Sequence, residues 1–250
     1  MTGLEAVAVM VAGVFAGGIN AAVGSGTLIS FPVLLAVGLP PVVANVSNSL
    51  GLVPGSVAGA IGYRKELAGQ RRRLWRLGFS SVLGGVTGAL LLLVLPPEAF
   101  ETIVPILIAL AVVLVILQPW IARKLRARQG EAPRRDGPAL LISAGLCGVY
   151  GGYFGASQGV LLVAIMGILM DENLQRVNAV KNVYVAVVNL VAGIVFIFVA
   201  EVAWIAVLAL AVGAAIGGLI GAKIGRKLPP HVLRGAIVVV GVVAILQLLL

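Results

Sequence analysis

The chain has 250 residues, 60% of them hydrophobic and only 11% charged, with a mean hydropathy of +1.13. A soluble domain of that length needs far more surface charge, so the composition describes an all-α polytopic membrane protein. The net charge of +9 is gathered in three short segments between apolar runs, which is the positive-inside pattern and argues against nucleic acid as a partner. Cys147 is the single cysteine, so neither an intrachain disulfide nor a thiolate metal cluster is expected.

The first apolar run covers residues 4–23, breaks at 24–26 and resumes over 27–38. Glu5 and the absence of Lys or Arg before it leave no basic n-region of a cleaved signal peptide, so this segment is expected to be retained. Spans are expected at 42–63, 77–95 and 103–120, completing an N-terminal repeat over 1–122. A basic linker occupies 123–138. The C-terminal repeat, 139–250, holds a second broken segment at 139–170 and spans at 177–200, 203–222 and 232–250.

The halves share more than composition. Gly17, Gly18, Asn48 and Gly59 match Gly151, Gly152, Asn182 and Gly193 at a spacing of 134. Gly84, Gly85, Gly88, Ala89, Leu95, Pro96 and Pro97 match Gly217, Gly218, Gly221, Ala222, Leu228, Pro229 and Pro230 at 133. A GG-x-x-GA…LPP pattern held in register indicates internal duplication.

Charge sets the expected topology. The segments 64–76, 123–135 and 223–234 carry sixteen of the eighteen Lys and Arg and should be cytoplasmic, while Glu5, Glu98, Glu101 and Glu201 lie in segments without basic residues and should be outside. Each broken segment then starts and ends on one side: 4–38 outside, 139–170 inside. Re-entrant half-helices are the economical solution, since each piece has only about 11 to 20 residues; eight plain spans with the breaks as kinks are the alternative. The repeats would be inverted, each a broken helical hairpin followed by three transmembrane helices. Both termini would lie outside a cell (inner or plasma) membrane.

The run AGGINAAVGSGTLISFPVLLAVGLPPVVANVSNSLGLVPGSVAGAIGYRKEL resembles the first repeat of the TauE/SafE family of sulfite exporters. GVYGGYFGASQGVLLVAIMGILMDENLQRVNAVKNVYVAVVNLVAGIVFIF resembles the second. The resemblance covers essentially the whole chain and implies an ATP-independent transporter of small sulfur-containing or related organic anions. Ala156, Ser157 and Gln158 stand where a glycine cluster is more typical of the family.

A substrate anion in a bilayer must exchange water for dipoles or a counter-charge. Breaks inside apolar segments, repeated in both halves, point to such a site. The expected tip glycines are Gly24, Gly26, Gly155 and Gly159, with helix N-termini from Gly26–Thr27 and Gly159–Val160 aimed forward. Expected substrate-binding side chains are Asn20, Ser25, Thr27, Asn48, Ser157, Gln158, Lys181 and Asn182. Asn45, Ser47, Ser49, Asn178 and Asn189 are secondary candidates, and interhelical glue is the alternative role for all the asparagines. Lys181 is the one cation within an apolar span, placed either to meet an anion or to snorkel to the surface. Gly84/Gly88 and Gly217/Gly221 read as helix-packing spacings.

No cofactor, catalytic residue or metal site is expected: His231 is alone, and no intramembrane carboxylate pair or Walker-type loop is present. The expected function is export of a small anion such as sulfite or a sulfonate, driven by membrane potential. A proton- or sodium-coupled anion carrier of the same fold, a channel, or a non-transport membrane assembly factor are the alternatives. The expected partners are that anion and the lipid bilayer, with a homodimer left open.

Overall fold

The computed structural model describes residues 1–127, 137–170 and 172–224. The expected span 232–250, His231, Asp171, Leu250, most of the linker and the second LPP triplet lie outside the described residues. Among those described there are nine helices and no strand: α1 (Gly3–Ala22), α2 (Thr27–Ala36), α3 (Pro41–Gly62), α4 (Arg71–Val94), α5 (Pro97–Ala127), α6 (Pro138–Tyr153), α7 (Gln158–Leu169), α8 (Leu174–Val199) and α9 (Trp204–Ile224). Five carry stretches long and apolar enough to cross a membrane, namely α1, α4, α5, α8 and α9, while α2, α6 and α7 are shorter apolar pieces. Large apolar side chains such as Phe15, Phe79, Ile106, Leu146, Phe198 and Leu208 are exposed, as the outer surface of an all-α membrane protein requires.

Local chemistry sets the helix ends. Thr2 and Glu5 form a capping box on α1: the Thr2 hydroxyl accepts from the Glu5 amide at 3.3 Å, and the Thr2 amide donates to the Glu5 carboxylate at 2.7 Å. Pro41, Pro97 and Pro138 each occupy a first helical position, where a missing N–H costs nothing. The Asn173 side chain caps α8 by accepting from the Arg176 amide at 3.0 Å. Two helices start six residues earlier than the hydropathy alone indicated. α4 begins at Arg71, inside the basic segment, because arginine is a good helix former and Arg73 finds an anionic partner in Glu172. α5 begins at Pro97 rather than at residue 103.

Glycine stripes decide which helices touch. Along the α1–α9 contact, Met10 meets Gly213, Val14 meets Gly217 and Gly18 meets Gly221, so the two helices run parallel. Added methyl groups there would fall on main-chain atoms; the backbones touch. The α4–α6 contact has the same form, with Ser80 against Gly145, Gly84 against Gly148 and Gly88 against Tyr153. α3 lies parallel to α9 (Gly51 on Leu210, Gly55 on Gly218, Gly62 on Ala222), and α4 lies beside α8 at Gly85 and Val188. α3 and α8 run antiparallel, Gly59 meeting Asn182 and Gly193 meeting Leu50. The contact pattern is therefore reciprocal: the first helix of each half packs on the fourth helix of the other, α1 on α9 and α6 on α4.

Candidate functional site at the paired helix breaks

Each break is made by a left-handed backbone turn. Gly24 has φ +95° and Gly155 φ +74°, values open to glycine but strained for other residues. Ser157 adopts φ +55° as the residue before α7, which therefore starts at Gln158, one residue earlier than the expected Gly159–Val160. Gly26 precedes α2, whose first residue is Thr27.

The two breaks meet. The Gly159 amide, in the first turn of α7, donates to the Gly24 carbonyl at 3.0 Å. Phe154, in the second break, and Phe31 of α2 form a T-shaped pair with ring centroids 5.1 Å apart. One donor at the α7 N-terminus is thus spent on the opposite tip, and the tips form one structure.

Lys181 lies two turns inside α8 and is 0% exposed. Its ammonium donates to the Asn20 carbonyl at 2.7 Å and the Ala21 carbonyl at 3.1 Å. These are C-terminal carbonyls of α1, the negative end of that half-helix, so the cation sits where the dipole favours it. The Lys181 stem passes Gly159, where a methyl group would come within 2.9 Å of its Cδ. Lys181 does not reach for the surface; it lies between the two tips. An ammonium has three donors, and two are committed.

Asn178 and Asn182 converge on the same place, each donating to the Ala21 carbonyl at 3.2 Å. Asn45 does the corresponding thing in the other direction, donating to the Tyr153 carbonyl at the end of α6 at 2.9 Å. Counted from the helix starts at Pro41 and Leu174, Asn45 is in register with Asn178 and Asn48 with Lys181, both 133 apart. That register differs by one from the Asn48–Asn182 pairing of the sequence.

The remaining expected residues divide. Asn48 accepts from Ser30 at 2.5 Å and reaches the Thr27 hydroxyl at 3.5 Å, which ties α3 to α2. Asn20 donates to Ser56 at 3.1 Å. Gln158 turns back on α6 and donates to the Cys147 carbonyl at 3.1 Å. Ser25 and Ser157, one in each break, are fully buried, and neither hydroxyl has a hydrogen-bond partner. The Asn182 carbonyl oxygen is likewise buried and unpartnered. Buried polar atoms without partners are uncommon in folded proteins, and here they cluster around the junction of the tips. Ser30 and Ser56 escaped the sequence reading, although Ser56 lies eight residues, about two turns, beyond Asn48 on the same face of α3.

Among the described residues there is no group of side chains able to hold a metal ion. Lys181 is the only fully buried charged side chain among them. The arrangement gathers two unpartnered hydroxyls, an unpartnered amide oxygen and one ammonium at the junction of the tips.

Comparison with known proteins agrees with this architecture. Residues 9–248 match the family model described as sulfite exporter TauE/SafE. The chain is 27% identical over 199 residues to a probable membrane transporter protein, YfcA, of Escherichia coli strain K12, covering 79% of this chain and 72% of that one. A probable membrane transporter protein of Haemophilus influenzae is 28% identical over 191 residues, covering 74% and 71%. No solved structure matches the chain significantly. With residues 9–248 of its 250 inside the family match, the chain belongs to the sulfite exporter TauE/SafE family of membrane transporters, which is not a family of enzymes.

Proposed function

We propose that this transporter exports a small sulfur-containing or organic anion, of the sulfite or sulfonate kind, down the membrane potential. The observation that carries the reading is the pair of buried, unpartnered serines, Ser25 and Ser157, in breaks that touch beside the Lys181 ammonium. Ordering such groups without partners costs about 1–3 kcal/mol each, a cost that a bound oxyanion relieves by accepting from both hydroxyls. The third Lys181 donor supplies the counter-charge.

The repeats 1–122 and 139–250 act as an inverted pair. In support, α1, α3 and α9 run one way and α4, α6 and α8 the other, so corresponding helices of the halves oppose each other. The two hairpins then serve as alternating gates around a fixed site. The site side chains are buried, so substrate enters only when one hairpin moves aside.

The driving force follows from the charges. Asp and Glu stand only in the first turns of the apolar spans or between them, none in the middle of a span, which removes the usual proton relay. The α1 carbonyls that resemble a sodium site already accept from Lys181. Export of one negative charge across ~100 mV gains ~2.3 kcal/mol, which supports a concentration ratio of roughly fifty. Liposomes holding the purified protein, given a potassium-diffusion potential and labelled sulfite or a sulfonate, test this. Anion flux should follow the imposed voltage. Flux that ignores voltage and follows a proton or sodium gradient replaces the uniporter with a coupled carrier.

A further inference from the structure

Two apolar clefts flank the outer side of α8, and both have an arginine at the same end. The first, about 370 Å³, lies between α3 and α8 and is walled by Val57, Ile61, Val183 and Leu190, with Arg64 just past the end of α3. The second, about 450 Å³, is walled by Leu74, Trp75, Phe79 and Val82 of α4, with Arg71 at the first residue of that helix. Val187 lines both and forms the ridge between them. The short turn joining α3 to α4 brings Arg64 and Arg71 to one end of the molecule.

We propose that these clefts are a binding site for one anionic phospholipid, its two acyl chains lying on either side of Val187 and its phosphate between Arg64 and Arg71. The complementarity is in the lining: hydrocarbon along each cleft and positive charge only at the basic end. Arg64, Arg71 and the adjacent Arg72 are exposed and have no ion pair or side-chain hydrogen bond with a described residue. Two nearby cations are engaged elsewhere, Arg73 at 2.8 Å and Arg176 at 2.5 Å from the Glu172 carboxylate. Trp75, 73% exposed one turn above Arg71, is the amphipathic ring expected at headgroup depth. A lipid held there presses on the outer face of α8, the helix whose inner face carries Lys181 and Asn182.

Trp75 is the reporter. In a Trp120→Phe/Trp204→Phe background, the full-length protein is reconstituted in vesicles of brominated phosphatidylglycerol or brominated phosphatidylcholine mixed with unbrominated lipid. Half-maximal quenching should need several-fold less brominated phosphatidylglycerol, and R64Q/R71Q should abolish that difference. If the double variant does not fold, 1 M salt applied to the parent should abolish it instead, since the screening length falls to about 3 Å. Equal quenching by both lipids, or a preference that survives both treatments, overturns the proposal. Trp75 shielded from either lipid also overturns it, pointing to a second protein copy over the clefts.

Discussion

The Gly159 amide donates to the Gly24 carbonyl at 3.0 Å, joining two breaks that lie 135 residues apart in the chain. A main-chain bond between glycines leaves no room for a side chain at either position.

Gly24→Ala therefore places a methyl group against the Gly159 main chain and strains a φ of +95°. A loss of about 2–4 kcal/mol is expected, read as a lower melting temperature in detergent together with loss of transport. Gly38→Ala is the control. Its φ of +84° is similarly left-handed, but no atom lies within 4 Å of the new methyl, so only about 1 kcal/mol of strain is expected.

Lys181→Met keeps most of the stem and removes the charge. A charge-assisted hydrogen bond to the anion is worth ~1.5–3 kcal/mol, so apparent affinity in the flux assay should weaken about tenfold or more. Asn178→Ala removes a donor to the same Ala21 carbonyl without touching the charge, and should cost stability while leaving affinity near wild type. Equal affinities in the parent and Lys181→Met would confine Lys181 to packing.

Ser25→Ala and Ser157→Ala remove hydroxyls that have no partner in the folded protein. Each substitution should leave thermal stability unchanged or raise it by up to about 1 kcal/mol, while transport falls. A serine that merely supported the fold would lose both together.

Glu172 links two helices, accepting from Arg73 of α4 and Arg176 of α8. Burial works to raise its carboxyl, but the hydrogen bonds and charges of Arg176 and Arg73 outweigh that and hold it below the ordinary carboxylate value. With the folded value depressed, the pair stabilises the protein above the ordinary carboxylate range, and that contribution is lost as pH falls through the folded value. Glu172→Gln should cost about 1–2 kcal/mol at pH 7, and the difference should shrink in acid. Melting curves at neutral and acid pH check both the size and the sign.

Inversion of the repeats can be read by cysteine labelling on a Cys147→Ser background. Positions 5, 98 and 201 should label from outside the cell, and positions in 64–76 from the cytoplasm. Labelling of position 98 from the cytoplasm would defeat the inverted arrangement.

Much of the architecture was legible in the residues themselves. Apolar runs punctuated by basic segments gave away the membrane class, and glycines around Ser25 marked the first break, because only glycine takes a φ of +95° without strain. The second break was harder to place, since Ser157 itself adopts a left-handed conformation that is uncommon for serine. The partners of Lys181 were invisible for a plainer reason. Both are main-chain carbonyls, of Asn20 and Ala21, and a main-chain acceptor has no signature in the identity of its residue. Likewise a stripe of glycines announces a close neighbour but not which one. That α1 pairs with α9, and α4 with α6, comes only from the fold.

The α1–α9 seam has a consequence for biogenesis. Gly17 rests against Ala214, 197 residues later, so at synthesis rates of about 5–20 residues per second α1 waits some 10–40 s in the bilayer before its partner exists. Its glycine face lacks its neighbour for that whole interval, and the carbonyls of Asn20 and Ala21 lack theirs until α8 has been made. The nascent first half is then a natural client for insertion machinery that shelters polar backbone, and a ribosome stalled before α9 would leave a half-protein whose exposed helix invites pairing with another copy or removal by membrane proteases.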